Sequence, residues 1–150
     1  MQAARASSTP SSDVLLLPQW SEANWIELLS RTSPRRVSAN EIVIARGAEE
    51  RRLYFTVAGE FEVGGAYMGG LSLTSLARVP AGSVIGEQSF FDGLPRSANV
   101  WAHTEGELLI LEFQTYQRFA QDAPELARDL LFALSRVLSL RLRNTTVRVH

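Results

Sequence analysis

The 150-residue chain lacks cysteine and lysine and has no long apolar run, and these absences exclude whole classes of function. Without cysteine there is no disulfide, no thiol nucleophile and no cysteine-ligated zinc, which fits a reducing compartment. No apolar run approaches the roughly 20 residues of a membrane-spanning helix. We therefore expect a soluble, cytoplasmic chain, either free or as the cytosolic domain of a membrane protein.

Basic excess and catalytic patterns are missing as well. All 15 cationic side chains are arginine, and 16 acidic side chains leave a net charge of -1. Domains that hold nucleic acid carry a basic excess, so direct nucleic acid binding is not expected. His103 and His150 are too few and too far apart for an imidazole-rich metal site. No Ser/His/Asp set has supporting spacing, and we expect a protein that is not an enzyme.

The composition divides the chain into a short tail and one domain. Alanine, serine and arginine dominate the start, which predicts a flexible tail or linker over residues 1–18. The same composition also occurs in organelle transit segments. Residues 19–150 have the length and the apolar content of a single domain with its own core.

The periodicity of the apolar residues predicts a mainly β domain between flanking helices. Ser21 is a suitable N-cap for an amphipathic helix that ends before Ser33-Pro34. Ala58-Gly59-Glu60 has the composition of a tight hairpin between two strands. Short β-rich runs separated by turn residues predict strands at 41–45, 52–57, 61–63, 71–79, 98–103 and 107–113.

The last third of the chain is helical by pattern. A brief helix is predicted over residues 114–121, and Pro124 suits the first turn of a longer helix. Arg141, Arg143 and Arg148 near its end are interpreted as a solvated helix end, with contact to an acidic partner or a membrane as the alternative. The expected architecture is a small antiparallel, jelly-roll-like β-barrel with an N-terminal helix and a C-terminal helical lid. The longer helix carries an apolar stripe at helical spacing, which is expected to be mostly core: Leu126, Leu130, Leu131, Leu134, Val137, Leu138 and Leu142.

The segment before the strand at residue 98 combines groups that suit a phosphate joined to a sugar. Gly86 permits a tight strand-to-helix turn and lets a ligand approach the backbone. The first N–H groups of the following short helix are free to bind an anion. Arg96 presents a fork of donors that matches phosphate oxygens, and Ser97 adds a hydroxyl. Glu87 supplies an acceptor-only carboxylate suited to ribose hydroxyls.

These residues resemble the phosphate-binding cassette of the cyclic-nucleotide-binding domain, the ligand module of the catabolite activator protein family. The matching motifs are Ile85-Gly86-Glu87, Ser89-Phe90-Phe91 and Pro95-Arg96-Ser97-Ala98-Asn99-Val100. Residues 53–63 look like the central hairpin of that family, and the final two helices look like its lid. The resemblance spans about residues 37–143, without a DNA-binding helix-turn-helix.

The resemblance implies a role for each cassette residue. Glu87 would take the ribose 2′-hydroxyl and Arg96 the cyclic phosphate, with assistance from Ser97 and the backbone of Gly86. Gln88 stands where the family usually has an apolar residue, and the hairpin around residues 64–70 has no clear counterpart. The base would lie near Asn144, Thr145 and Thr146. The complete set expected to contact the ligand is Gly86, Glu87, Gln88, Ser89, Arg96, Ser97 and Ala98.

The function implied by the resemblance is that of a regulatory sensor whose ligand repositions the C-terminal helix. In the family, threonine at the position of Ser97 often accompanies cGMP and alanine accompanies cAMP, so cAMP is the expected ligand and cGMP remains possible. The effector is unknown, either another domain or a separate partner. The alternative is a ligand-free domain of the same fold that uses its leucine stripe for homodimerisation or for docking on another protein. In that case Glu87 and Arg96 would be only a surface salt bridge.

Overall fold

The computed structural model describes residues 13–64 and 75–149, with side chains except those of residues 75–76 and 145–149. The strands in this part are β1 (Ser33–Val37), β2 (Ile42–Ile44), β3 (Arg52–Ala58), β4 (Phe61–Gly64), β5 (Ser75–Val79), β6 (Val84–Ile85), β7 (Asn99–Ala102) and β8 (Gly106–Glu112). The helices are α1 (Glu22–Leu29), α2 (Glu87–Asp92), α3 (Phe113–Asp122) and α4 (Pro124–Val149).

The strands form two antiparallel sheets that pack face to face. The strand order is β1-β8-β3-β6 in one sheet and β2-β7-β4-β5 in the other. Every strand contributes at least one buried side chain to the core between the sheets, including Tyr54, Phe61 and Leu108. This arrangement confirms the predicted fold class, a small antiparallel, jelly-roll-like β structure with an N-terminal helix and a C-terminal helical region.

Strand β3 separates this inner core from a second core beneath the helices. Tyr54 points between the sheets, whereas Leu53 and Phe55 pack with the helices on the outer face. Because β3 is buried on both faces from Leu53 to Thr56, three consecutive apolar residues, Leu53 to Phe55, replace the alternation of a half-exposed strand. The helical core contains Leu28 of α1, Phe119 of α3 and Leu130 of α4, all fully buried.

The helix boundaries follow recognisable signals. The side chain of Ser21 accepts a hydrogen bond from the Asn24 N–H, and the Asn24 side chain accepts one from the Ser21 N–H, so the two residues form a capping box. Pro124 begins α4 as predicted. The leucine stripe of α4 is buried at Leu134, but Leu142 is 68% exposed. The stripe is therefore only partly core.

Two short strands were not among the predicted β-rich runs, and one predicted hairpin is wrong. Helix α1 ends before Ser33-Pro34 as predicted, but Ser33-Pro34 also opens β1, an edge strand that was not predicted; it pairs with β8 alone, a position that tolerates proline. Strand β6, Val84–Ile85, was not among the predicted β-rich runs, but it directly precedes Gly86, as the predicted strand-to-helix turn requires. Residues 58–60 do not form a hairpin between paired strands, because β3 and β4 belong to different sheets.

Several predictions lie partly or wholly outside the described residues: the tail at residues 1–12, the loop at 65–70 and the start of the predicted strand at 71–74. Residues 13–18 of the expected linker make defined contacts. The Leu15 N–H donates to the Gly82 carbonyl, and Leu17 is buried in the helical core. Among the helices in the described ranges, none has the length and apolar content required to cross a membrane.

Candidate functional site

A cavity of about 220 Å³ opens where the two sheets meet α2 and α4. Strand side chains such as Ile44, Ile85 and Val100 line its apolar part. Its polar lining comes from the segment after β6 and from both ends of the described chain. All seven residues expected to contact a ligand line this cavity: Gly86, Glu87, Gln88, Ser89, Arg96, Ser97 and Ala98. Asp13, Arg141 and Asn144 line it as well.

Gly86 determines how the chain enters the site. It is the N-cap of α2 and has φ 83°, a left-handed conformation that side chains disfavour. A Cβ atom at this position would lie 2.8 Å from Nη1 of Arg96 and 3.1 Å from the Arg52 carbonyl oxygen. The glycine is therefore required both for the turn and for the close approach of Arg96 to the backbone.

Arg96 is a buried cation, with only 4% of its surface exposed. Its Nη1 donates to the Gly86 carbonyl at 2.9 Å, and its Nη2 donates to the Arg52 carbonyl at 2.8 Å. The backbone of Arg96 is fixed too, since its N–H donates to the Ala48 carbonyl and its carbonyl accepts from the Gly47 N–H. The strand β3 and the turn before α2 thus hold the guanidinium in place.

The charge and one donor of Arg96 are incompletely satisfied. Within the described residues, its Nε is the one buried side-chain nitrogen or oxygen without a hydrogen-bond partner. The nearby carboxylate of Glu50 is 3.5 Å from Nη2, and that carboxylate also accepts a hydrogen bond from Tyr54 and lies 3.6 Å from Arg52. A buried cation with a shared counter-ion and an unused donor is suited to an anion.

Glu87 pairs with Arg141 of α4 rather than with Arg96. Nη1 of Arg141 lies 2.8 Å from Oε1 of Glu87, whose side chain is only 10% exposed. Nε of Arg141 lies 2.6 Å from Oδ2 of Asp13, and its Nη2 donates to the Val84 carbonyl at 2.8 Å. The interpretation of Glu87 and Arg96 as a mutual salt bridge does not apply among the described residues.

Arg141 was wrongly assigned to a solvated helix end. Burial alone would lower the pKa of its guanidinium, but the carboxylates of Glu87 and Asp13 hold that pKa above its usual value. The side chain is 21% exposed, whereas Arg143 is exposed. The side chain of Arg148 lies outside the part of the chain that the structure describes. Of this basic cluster, Arg141 belongs to the cavity wall.

The remaining cassette residues differ in burial. Ser89 is buried at 3% exposure, and its carbonyl accepts the N–H of Gly93 at the end of α2. Gln88 and Ser97 are exposed, and the Ser97 hydroxyl donates to Oε1 of Gln88. Gln88, a polar residue where the cassette usually has an apolar one, therefore lies at the rim of the cavity and is hydrogen-bonded to Ser97.

Two cavity residues were missed by sequence reasoning. Arg141 precedes Asn144 by three positions, so both lie on one helix face, and this spacing was the available signal. Asp13 had no local signal, because its partner Arg141 is 128 positions away. Asn144 lines the cavity as expected for a residue near the base, while the side chains of Thr145 and Thr146 are outside the described part.

The site offers no cluster of metal ligands. In residues 13–64 and 75–149, no three histidine, aspartate or glutamate side chains are placed to hold an ion together. The polar lining consists instead of two arginines, two carboxylates, hydroxyls and amides around apolar strand residues. This donor set suits an organic anion with hydroxyl groups.

Comparison with known proteins agrees with the geometry. A family model described as the cyclic nucleotide-binding domain matches residues 34–123, more than half of the chain. A cyclic nucleotide-gated potassium channel from Rhizobium etli is 29% identical over 117 residues, which cover 78% of this chain and 31% of the channel. The chain thus spans about a third of the length of that relative.

Solved structures share the fold over most of the chain. A cyclic nucleotide-binding domain from Methylobacillus flagellatus superposes with a TM-score of 0.81 at 24% identity, covering 93% of this chain and 78% of the other. The catabolite activator protein of Thermus thermophilus has a TM-score of 0.71 at 26% identity, covering 86% of this chain and 58% of the other.

Proposed function

Because the chain belongs to the cyclic nucleotide-binding domain family, a family of regulatory modules, we propose that its cavity binds a 3′,5′-cyclic nucleotide, with cAMP as the expected ligand. The proposed role is that of a sensor, which binds its ligand and does not convert it. Its place is the cytoplasm, free or as the cytosolic part of a larger protein, as the named channel relative suggests.

The observation that carries this proposal is the state of Arg96. Arg96 lines the cavity, is buried, and keeps one buried donor, Nε, without a partner. Desolvating a cation is costly unless an anion compensates it. A cyclic phosphate supplies that anion and accepts from the unused Nε–H, so ligand binding would complete the hydrogen bonding of Arg96.

The position of Glu87 favours a ligand in which a ribose is joined to the phosphate. Its carboxylate lines the cavity at the start of α2, and Arg141 engages one of its two oxygens. A carboxylate has acceptor sites on both oxygens, so a ribose 2′-hydroxyl donates to Glu87 while Arg141 stays in place. Ser97 and Ala98 form the adjacent rim toward the phosphate.

Contacts with α4 support the proposed coupling to the C-terminal helix. Arg141 and Asn144 of that helix line the same cavity as Glu87 and Arg96. The volume of about 220 Å³ is below the roughly 300–1,000 Å³ of sites that enclose a whole drug-sized ligand. The cavity thus encloses the phosphate and sugar, and the base extends along α4, so occupancy favours one position of that helix.

Calorimetric titration with cAMP and cGMP tests the proposal. Arg96→Ala removes the phosphate contact and is expected to weaken binding about 10–100-fold, while Arg143→Ala, on an exposed position of α4, serves as the matched control. Urea unfolding of each variant shows whether it is folded. Undiminished binding by folded Arg96→Ala would contradict the phosphate assignment, and the ratio of the two wild-type affinities decides the base.

The exposed face of α4 favours a second candidate function, homodimerisation or docking without ligand. Phe132 is 80% exposed and Leu142 is 68% exposed, ten positions apart on the same helix. Clusters of exposed large apolar side chains are a common feature of interaction surfaces. An absence of heat with either nucleotide, together with a concentration-dependent dimer in sedimentation that Phe132→Ser dissociates, would support this candidate against the first.

A further inference from the structure

Asp13 reaches the candidate site from a part of the chain outside the region that matches the family. The family match begins at residue 34, yet Asp13 lines the cavity. Its Oδ2 lies 2.6 Å from Nε of Arg141, and Nη1 of the same guanidinium lies 2.8 Å from Oε1 of Glu87. One arginine thus bridges a carboxylate of the N-terminal segment and the carboxylate expected to bind ribose.

The backbone around Asp13 is fixed independently of this ion pair. The Asp13 carbonyl accepts from the Ser83 hydroxyl at 2.9 Å, and the Leu15 N–H donates to the Gly82 carbonyl at 3.1 Å. On the other side, Arg136 of α4 donates to the Val14 carbonyl at 3.1 Å. The carboxylate of Asp13 is therefore presented to Arg141 by a segment anchored to both the barrel and α4.

We propose that Asp13 is a positioning residue of the ligand site, which acts through Arg141 to orient the carboxylate of Glu87 toward a sugar hydroxyl. The inference rests on the proposed function. Nη2 of Arg141 donates to the Val84 carbonyl and to the Ser83 hydroxyl. Asp13 adds the bond at Nε, so the planar guanidinium can turn only by breaking bonds on two sides. Its Nη1 therefore keeps Oε1 of Glu87, and the second carboxylate oxygen keeps one orientation.

The consequence is specific to the sugar. Phosphate binding depends on Arg96, which makes no hydrogen bond or ion pair with Asp13 or Arg141 among the described contacts. Loss of the Asp13 carboxylate leaves the phosphate contact and the Nη2 bonds of Arg141 in place but frees Nε, so the guanidinium and the Glu87 carboxylate are less firmly oriented. A ribose 2′-hydroxyl then gains less from Glu87, whereas a 2′-deoxyribose, which never made that contact, loses little.

The test compares cAMP with 2′-deoxy-cAMP by calorimetry on the full chain. The wild type should prefer the ribose form by about 10–100-fold, the value of one hydrogen bond to a charged group. Asp13→Ala should reduce this preference by about 3–10-fold, in the lower part of the range of coupling between neighbouring groups. Asp13→Asn, which keeps an acceptor without the charge, should fall between the two.

Trp20→Phe provides the matched control. Trp20 also connects the N-terminal segment to α4, through a 3.0 Å hydrogen bond from Nε1 to Oδ2 of Asp129, an acceptor that does not belong to the Asp13–Arg141–Glu87 chain of ion pairs. This variant should leave the ribose preference unchanged. If Asp13→Ala weakens both nucleotides equally, its role is structural and the inference is overturned. If the wild type binds neither nucleotide, the proposed function fails, and this inference fails with it.

Discussion

Gly82 and Gly86 have nearly the same backbone conformation, but only Gly86 is crowded by neighbouring atoms. Gly86 has φ 83° and Gly82 has φ 88°, both in the left-handed region. A Cβ at Gly82 would meet no atom within 4 Å, whereas a Cβ at Gly86 would lie 2.8 Å from Nη1 of Arg96. The first substitution adds only conformational strain, and the second also displaces the guanidinium that the phosphate requires.

We therefore expect Gly82→Ala to lower the free energy of unfolding by about 1–2 kcal/mol, the cost of a left-handed alanine. Gly86→Ala should cost about 1–3 kcal/mol more, because its Cβ overpacks the site. Urea unfolding measures both values, and calorimetry with cAMP should find weakened binding only for Gly86→Ala. Equal effects of the two alanines on stability and affinity would show that Arg96 accommodates the extra carbon.

At the scale of residues, the sequence identified the chemistry of the cassette but not all of its connections. The glycine, arginine and carboxylate of the cassette form one short stretch of chain, so local pattern and family resemblance located them together. The partner of Glu87 comes from α4 and that of Arg141 from the N-terminal segment. Such long-range pairs depend on how the helices pack, and no local pattern encodes them.

At the scale of elements, α4 contains buried and exposed leucines within one apolar stripe. Leu134 is fully buried in the helical core, whereas Leu142, two turns later, is 68% exposed. Leu134→Ala should lower the free energy of unfolding by about 2–5 kcal/mol, the usual cost of a core cavity. Leu142→Ala should change it by less than about 0.5 kcal/mol.

Urea unfolding at several protein concentrations checks this pair of substitutions. A large cost for Leu142→Ala that grows with protein concentration would contradict an exposed position and would indicate that a second copy covers it. The apolar stripe of α4 was correctly predicted to be helical, because the spacing of its apolar residues is visible within a short stretch of sequence. The position at which the stripe becomes exposed depends on how far the sheet extends beneath the helix, and the periodicity of the sequence carries no information on that length.

The strands, too, were predicted well where their own sequence is distinctive and poorly where they depend on a neighbouring strand. Strands with long apolar runs, such as β3 and β8, were located within a residue or two. The edge strand β1 was missed, and the two-residue β6 was indicated only by the strand-to-helix turn at Gly86, because each depends on pairing with a neighbour rather than on its own pattern. The turn at residues 58–60 was taken for a hairpin because its glycine fits either a hairpin or a crossing between sheets.

For the whole molecule, the absence of lysine and cysteine makes its alkaline stability depend on tyrosine. Above about pH 9 the tyrosines are then the side chains that titrate, since arginine stays charged. Burial is the main cause that raises the pKa of Tyr54 above 10.0, helped by its hydrogen bond to Glu50, and burial raises the pKa of Tyr116 as well. Of the three tyrosines, Tyr67 lies outside the described residues.

A raised pKa in the folded state means that the folded protein keeps protons which the unfolded chain has released near pH 10. This contribution to stability is complete below pH 10 and is lost as the pH rises through the folded pKa, so stability falls with increasing pH. Each buried tyrosine adds a slope of up to about 1.4 kcal/mol per pH unit in that window. Urea unfolding between pH 9 and about pH 11.5 should show this decline, and Tyr54→Phe and Tyr116→Phe should each reduce its slope. An unchanged slope in the double variant would place the alkaline transition elsewhere, because the folded state would then hold no excess protons at these two positions.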